Sequence, residues 1–301
     1  MKKLSFGVNV STSTTDGDNP VAEAMRAEAL GYDFVSANDH PGGTQASYET
    51  WTMLTWIAAK TTRIKVASRV LGVPYRAPAM VAKMAESLDR LSDGRLILGM
   101  GAGYSDDEFK AFGLPVPSPK EKIEGLEEAV RIVRGLWNSP SFTFEGRHHR
   151  TDAAVIEPKP AHRTPIWLGT FGKEALAVTG RVADGWIPTL EMAPPSSIPA
   201  MSARIFDAAH AAGRDPHEIT LAYNMEFRLD DRARPSSDIV SGSTTDVAEQ
   251  LLSFAALGFT AMNFIPSGPD PERQVERLAQ EVLPLVRTST QQAQAERAPL
   301  G

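Results

Sequence analysis

The 301-residue chain contains no cysteine, which excludes disulfide frameworks, thiolate nucleophiles and cysteine-ligated metal sites. It also lacks any run of about 20 apolar residues, the length a membrane-spanning helix requires. Even Leu96–Met100 is a short stretch. The opening Met-Lys-Lys-Leu-Ser-Phe-Gly leads directly into a strand-like segment without the apolar region of a signal peptide, so a cytoplasmic location is expected. Blocks of basic charge are missing as well. The 31 basic and 37 acidic residues leave a net charge of −6 spread along the chain, with no patch to neutralise nucleic-acid phosphates. Neither nucleic acid nor membrane is an expected partner. No H-x-H or H-E-x-x-H pair occurs, and His148 and His149 sit together on a hairpin-like segment, so no metal site is expected. No G-x-G-x-x-G follows the first strand, which argues against independent NAD(P)H binding in a dinucleotide fold.

What is present is an alternation of short β-branched runs with longer amphipathic segments, the pattern of a parallel sheet covered by helices. Strands are expected at Leu4–Val10, Asp33–Ala37, Ile64–Arg69, Leu96–Met100, Ile166–Leu168, Trp186–Ile187, Ile219–Phe227 and Ala261–Ile265. Eight helices fall between and after them, with Pro20 and Pro78 placed to start two and Gly31 and Gly213 to stop two. Eight repeats favour an α/β fold of the closed (β/α)8, or TIM-barrel, kind over an open doubly wound sheet. A proline-rich stretch from Tyr104 to Pro119 forms a long insertion after strand four, and Phe142–Arg150 reads as a hairpin. One barrel domain is expected over residues 1–289, followed by a disordered C-terminal tail at 290–301.

In such a barrel catalytic groups lie just beyond the C-terminal ends of strands, and four places there carry suitable residues. After strand two, Asn38-Asp39-His40 sets a carboxylate beside an imidazole; the plain alternative is that Asp39 caps loop backbone and His40 packs or faces solvent. After strand three, Ser68-Arg69-Val70-Leu71-Gly72 enters a loop shaped by Pro74 and Pro78. After strand four, Gly101-Ala102-Gly103-Tyr104 offers close backbone approach and a phenol, although glycines also serve tight turns. After strand five, Gly169-Thr170-Phe171-Gly172 enters a helix and reads as an anion cradle or as a glycine-shaped turn. Trp186 could reach the same rim or belong to the core. Lys65 lies near the start of its strand, away from that rim, so a Schiff-base aldolase is a weak alternative.

Several blocks in order resemble the luciferase-like monooxygenase family. They are Asn38-Asp39-His40, Ala77-Pro78 through Leu88-Asp89-Arg90-Leu91-Ser92-Asp93-Gly94-Arg95, Leu98 to Gly103, Pro165 to Gly169 and Gly180 to Trp186, within a resemblance spanning residues 4 to 287. The resemblance implies a (β/α)8 barrel that uses reduced flavin or a deazaflavin. It implies cofactor-phosphate contacts at Gly169, Thr170, Phe171 and Gly172. It also implies a cofactor ring packed on a strand-three bulge at Ser68, Arg69 and Val70, with a non-proline cis peptide at Arg69-Val70. Gly101 and Gly103 border the cofactor in this picture. Asp39 and His40 match a motif near the reactive face, where Tyr104 stands in the position that carries an acidic residue in some relatives.

The leading functional expectation is hydride transfer between coenzyme F420 and a small organic substrate, with His40, Asp39 and Tyr104 as candidate catalytic residues. The alternatives are an FMN-dependent monooxygenase supplied with reduced flavin by a partner reductase, and a flavin-binding barrel without turnover. A homodimer is the expected assembly. In each case the protein orients and the cofactor supplies the redox chemistry.

Overall fold

The computed structural model describes residues 3–15, 17–232 and 238–297. In chain order the strands are β1 (Ser5–Asn9), β2 (Phe34–Ala37), β3 (Lys65–Ser68), β4 (Leu71–Gly72), β5 (Leu96–Gly101), β6 (Phe142–Glu145), β7 (Arg150–Ala154), β8 (Ile166–Leu168), β9 (Gly185–Trp186), β10 (Thr220–Leu229), β11 (Val240–Gly242) and β12 (Ala261–Pro266). The helices are α1 (Pro20–Ala29), α2 (Thr50–Lys60), α3 (Pro78–Leu91), α4 (Asp106–Ala111), α5 (Pro119–Asn138), α6 (Lys173–Val182), α7 (Ile198–Ala211), α8 (Thr244–Ala256), α9 (Pro271–Arg277) and α10 (Leu283–Arg297).

Eight strands close into a parallel ring in the order β1-β2-β3-β5-β8-β9-β10-β12, with β12 returning to β1. This is the (β/α)8 barrel expected from the alternation. β4 and β11 are short additions pairing β5 and β10, and β6 with β7 forms the antiparallel hairpin. Helix ends follow local chemistry. Pro20 and Pro78 occupy first helical turns, and capping boxes at Ser118/Glu121 and Ser243/Asp246 satisfy the first N–H groups of α5 and α8.

Side chains two apart on a strand share a face, and this period stacks the barrel interior in layers. The lower layer is Phe34, Ala67, Ile97, Trp167, Ile187, Ala222 and Ala261, packed together as a small inner cluster. Gly7 is required there because a Cβ would fall 2.2 Å from the Phe34 ring. Two residues further along, Ser36, Asn224 and Asn263 form a polar layer, joined by Asn9 at the end of β1. This second layer is the floor of the cavity described below. The larger apolar cluster lies between strands and helices, with Phe6, Val35, Leu98 and Ile166 meeting residues such as Leu54, Val81, Leu126 and Leu176.

Two expectations are corrected by the fold. The stretch after β5 is not wholly loop: Ser105 caps α4, and Asp106, Asp107 and Glu108 give its first turn the acidic charge a helix N-terminus favours. The chain also does not leave helix at residue 289, since α10 continues through Arg297. No glycine or proline interrupts Thr288–Arg297, and its Gln, Ala, Glu and Arg residues are good helix formers. The remainder of the expected tail, 298–301, lies outside the described residues. Among the described residues no helix is long and apolar enough to cross a membrane.

Candidate active site

The C-terminal strand ends surround a cavity of about 330 Å³. Its wall on the strand-three side is built by the Arg69-Val70 peptide, which is cis, as the family resemblance implies. Val70 projects toward β5 and β8, and the glycines opposite make this possible. A Cβ on Gly101 would lie 2.6 Å from Val70 Cγ2, and one on Gly99 would lie 1.8 Å from the Ser68 carbonyl oxygen. Gly101 therefore makes room for the Val70 side chain while lining the cavity together with Ala102 and Gly103. Ser68 stands behind the wall, its hydroxyl donating to the Gly99 carbonyl (2.8 Å) and accepting from the Gly99 N–H (2.9 Å). It is the one residue of the expected cofactor set that does not line the cavity.

Beside this wall, where a Cβ on Gly169 would lie 3.2 Å from Val70 Cγ2, β8 ends in Gly169-Thr170-Phe171-Gly172, all four lining the cavity before α6 begins. The Gly169 N–H donates to the Met100 carbonyl at 3.2 Å, so free donors start one residue later than expected. The N–H groups of Thr170, Phe171 and Gly172 meet no acceptor among the described residues, and no side chain caps α6. Exposed N–H groups at a helix start form an anion site. The turn is braced from below. Trp186 donates its indole N–H to the Thr170 carbonyl (2.8 Å), and the Thr170 and Thr179 hydroxyls are 2.7 Å apart. Trp186 is fully buried, so it supports the turn from the core and does not reach the rim.

On the β2 side the two expected residues separate. The buried Asp39 carboxylate accepts from Arg76 Nη1 (2.7 Å) and Nη2 (3.0 Å) and from the Gly72 N–H (3.0 Å). It fixes the loop after β3 through Arg76 and Gly72, and its hydrogen-bond partners among the described residues do not include His40. His40 instead faces Glu108 on α4, Nδ1 lying 3.4 Å from the carboxylate. The Tyr75 hydroxyl also donates to Glu108. Burial, together with the adjacent carboxylate, raises the Tyr75 phenol well above its ordinary range, so it stays protonated as a donor. Tyr104, by contrast, is 91% exposed at the cavity edge.

Arg69, Tyr75, Ile187, Thr189 and Asn224 also line the cavity. Sequence reasoning missed Tyr75, Arg76, Glu108 and Asn224 as members of this site. The S-x-x-E spacing of Ser105 and Glu108 marks a helix start, but nothing local says that this helix faces His40. Among the described residues no group of three or more His, Asp or Glu side chains is arranged to hold a metal ion.

The family model of luciferase-like monooxygenases matches residues 4–234. An F420-dependent glucose-6-phosphate dehydrogenase from Nakamurella multipartita is 28% identical, covering 94% of this chain and 97% of its own length. An F420-dependent hydroxymycolic acid dehydrogenase from Mycobacterium tuberculosis is 33% identical over 70% of this chain and 59% of its own. Among solved structures, an F420-dependent secondary alcohol dehydrogenase in complex with an F420-acetone adduct superposes with a TM-score of 0.85. It is 20% identical, with 94% of this chain and 99% of that one covered.

Proposed function

This chain belongs to the luciferase-like monooxygenase family, and from that premise we propose that it is an F420-dependent oxidoreductase moving hydride between the deazaflavin and a small organic substrate. The observation that carries the proposal is that N–H donors at Thr170–Gly172 without a protein acceptor among the described residues and the Val70 wall line one cavity. The donors suit a phosphate and the wall suits one face of a flat ring. The similarity to F420-dependent dehydrogenases over nearly the whole chain favours the deazaflavin over FMN. The bound coenzyme would supply hydride acceptance and donation at its ring carbon.

The chain's own residues do the remainder. Thr170, Phe171 and Gly172 hold the phosphate through backbone N–H groups, and Gly101, Gly103 and Val70 define the slot for the ring. Hydride loss from an alcohol leaves a proton to be removed, and hydride gain by a carbonyl requires one to be supplied. In this reading His40 carries out that exchange, supported by Glu108 on its Nδ1 side, which leaves Nε2 for substrate. Tyr75 holds Glu108 in turn, and Asp39 anchors the loop through Arg76. Glu108 supplies, four residues later, the carboxylate that Tyr104 does not. A homodimer, and for the FMN alternative a reductase in trans, belong to the same proposal.

Titrating the purified apoprotein with F420 and with FMN, followed by fluorescence, tests it. Binding of F420 in preference to FMN is expected; binding of FMN alone, or of neither, overturns the reading.

A further inference from the structure

The cavity holds a cation that the phosphate turn does not explain. Arg69 leaves β3 and lines the cavity, yet none of the carboxylates of the described residues lies within 4.0 Å of its guanidinium. Its Nε donates to Asn9 Oδ1 at 3.0 Å, and neither Nη has an acceptor among the described residues. Burial pulls the group down to about 10, which still leaves it charged at neutral pH. The acids around the cavity are occupied: Asp39 by Arg76 and the Gly72 N–H, Glu108 by Tyr75 and His40. A partly buried cation without a carboxylate partner is costly, and the cost falls when a ligand brings the opposite charge.

The polar floor determines how Arg69 is presented. Asn263 Nδ2 donates to Asn224 Oδ1 at 2.7 Å, Ser36 donates to Asn263 Oδ1 at 2.9 Å, and the Ser36 hydroxyl lies 3.3 Å from Asn9 Oδ1. This chain of contacts crosses β10, β12, β2 and β1. By taking Nε it turns the guanidinium toward β1, away from β8, where the phosphate turn lies on the other side of β3 and β5. Both Nη groups are left as a fork, the geometry that receives two oxygens of a carboxylate or phosphate.

We infer that Arg69 is the receptor for an anionic group on the substrate, so the substrate is an acid or phosphate ester carrying the alcohol or carbonyl that reacts. This rests on the F420-oxidoreductase reading and narrows its substrate class. A cation at the floor selects charge, while His40 and Glu108 act on the reacting oxygen.

The test uses F420-loaded protein and matched probes: lactate against lactamide, glycerol 3-phosphate against glycerol, and benzoate against benzamide. Binding is followed by calorimetry and by the absorbance of the bound coenzyme. At least one anion is expected to bind on the order of tenfold or more tighter than its neutral partner. That preference should vanish in Arg69→Met and return in part in Arg69→Lys. No charge preference in the wild type, or a preference that survives in Arg69→Met, overturns the inference. So does an Arg69→Met effect confined to the ratio of oxidised to reduced F420 affinity, which would turn the guanidinium toward the ring. If the wild type binds no F420, the functional reading fails by itself, and thermal shifts of the apoprotein with the same pairs still decide whether Arg69 selects anions.

Discussion

Gly172→Asp is the sharpest perturbation of the phosphate turn, because the structure lets charge change without packing or backbone strain. A Cβ at Gly172 meets nothing within 4 Å, and its φ of −72° and ψ of 156° suit any residue. The position is the N-cap of α6, where aspartate is a preferred residue, so the helix should gain a few tenths of a kcal/mol over glycine. The same carboxylate would stand about 4–5 Å from a phosphate held by the neighbouring N–H groups and would compete for those donors. With an effective dielectric near 20 the opposition is roughly 3–4 kcal/mol per phosphate charge, falling to about 1 kcal/mol where water screens it fully. The dissociation constant should therefore rise roughly 5- to 1000-fold. Fluorescence titration with F420, beside a thermal melt, reads both effects, and Gly172→Ala controls for the side chain alone. A variant with unchanged or raised melting temperature and unchanged F420 affinity would refute the placement of the phosphate.

Gly99→Ala should destabilise the fold by about 3 kcal/mol or more, because its Cβ would lie 1.8 Å from the Ser68 backbone oxygen; denaturant midpoints within about 0.5 kcal/mol of wild type would show that β3 gives way freely. His40→Ala should slow single-turnover hydride transfer by about 10²–10⁴-fold. Glu108→Gln should show a smaller loss and the exposed Tyr104→Phe the least. Wild-type rates in His40→Ala at saturating F420 and substrate would remove the imidazole from the chemistry. Glu128 accepts from the N–H groups of Arg147, His148 and His149. Burial pushes its carboxyl up, but these bonds outweigh it and hold the value below the ordinary glutamate range. Its contribution is thus complete above the unfolded value near 4.5 and is lost as pH falls through the lower folded value. Glu128→Gln should cost about 1–2 kcal/mol at neutral pH. Melts repeated toward pH 3 should show the two proteins converging, and a constant gap would contradict the assignment.

The alternation of strand and helix, the proline starts at Pro20 and Pro78 and the glycine stops were legible from local pattern, because turns and period-two burial are properties of neighbouring residues. The strand-to-helix turn at Gly169–Gly172 was legible for the same reason, as a strand end passing into a helix. Local pattern could not reveal partners. Asp39 faces Arg76 from 37 positions away, and Glu108 meets Tyr75 and His40 from 33 and 68. The floor joins Asn9, Ser36, Asn224 and Asn263 only once the ring closes between β12 and β1. Gly101 shows the limit most plainly: the sequence marks a small residue, but whether it makes room for a ligand or for Val70 depends on the register of β3 against β5. Local periodicity dictated which faces are buried. Barrel closure and strand register decided which charged and polar groups meet at the mouth, since those distances are set across strands and not along the chain.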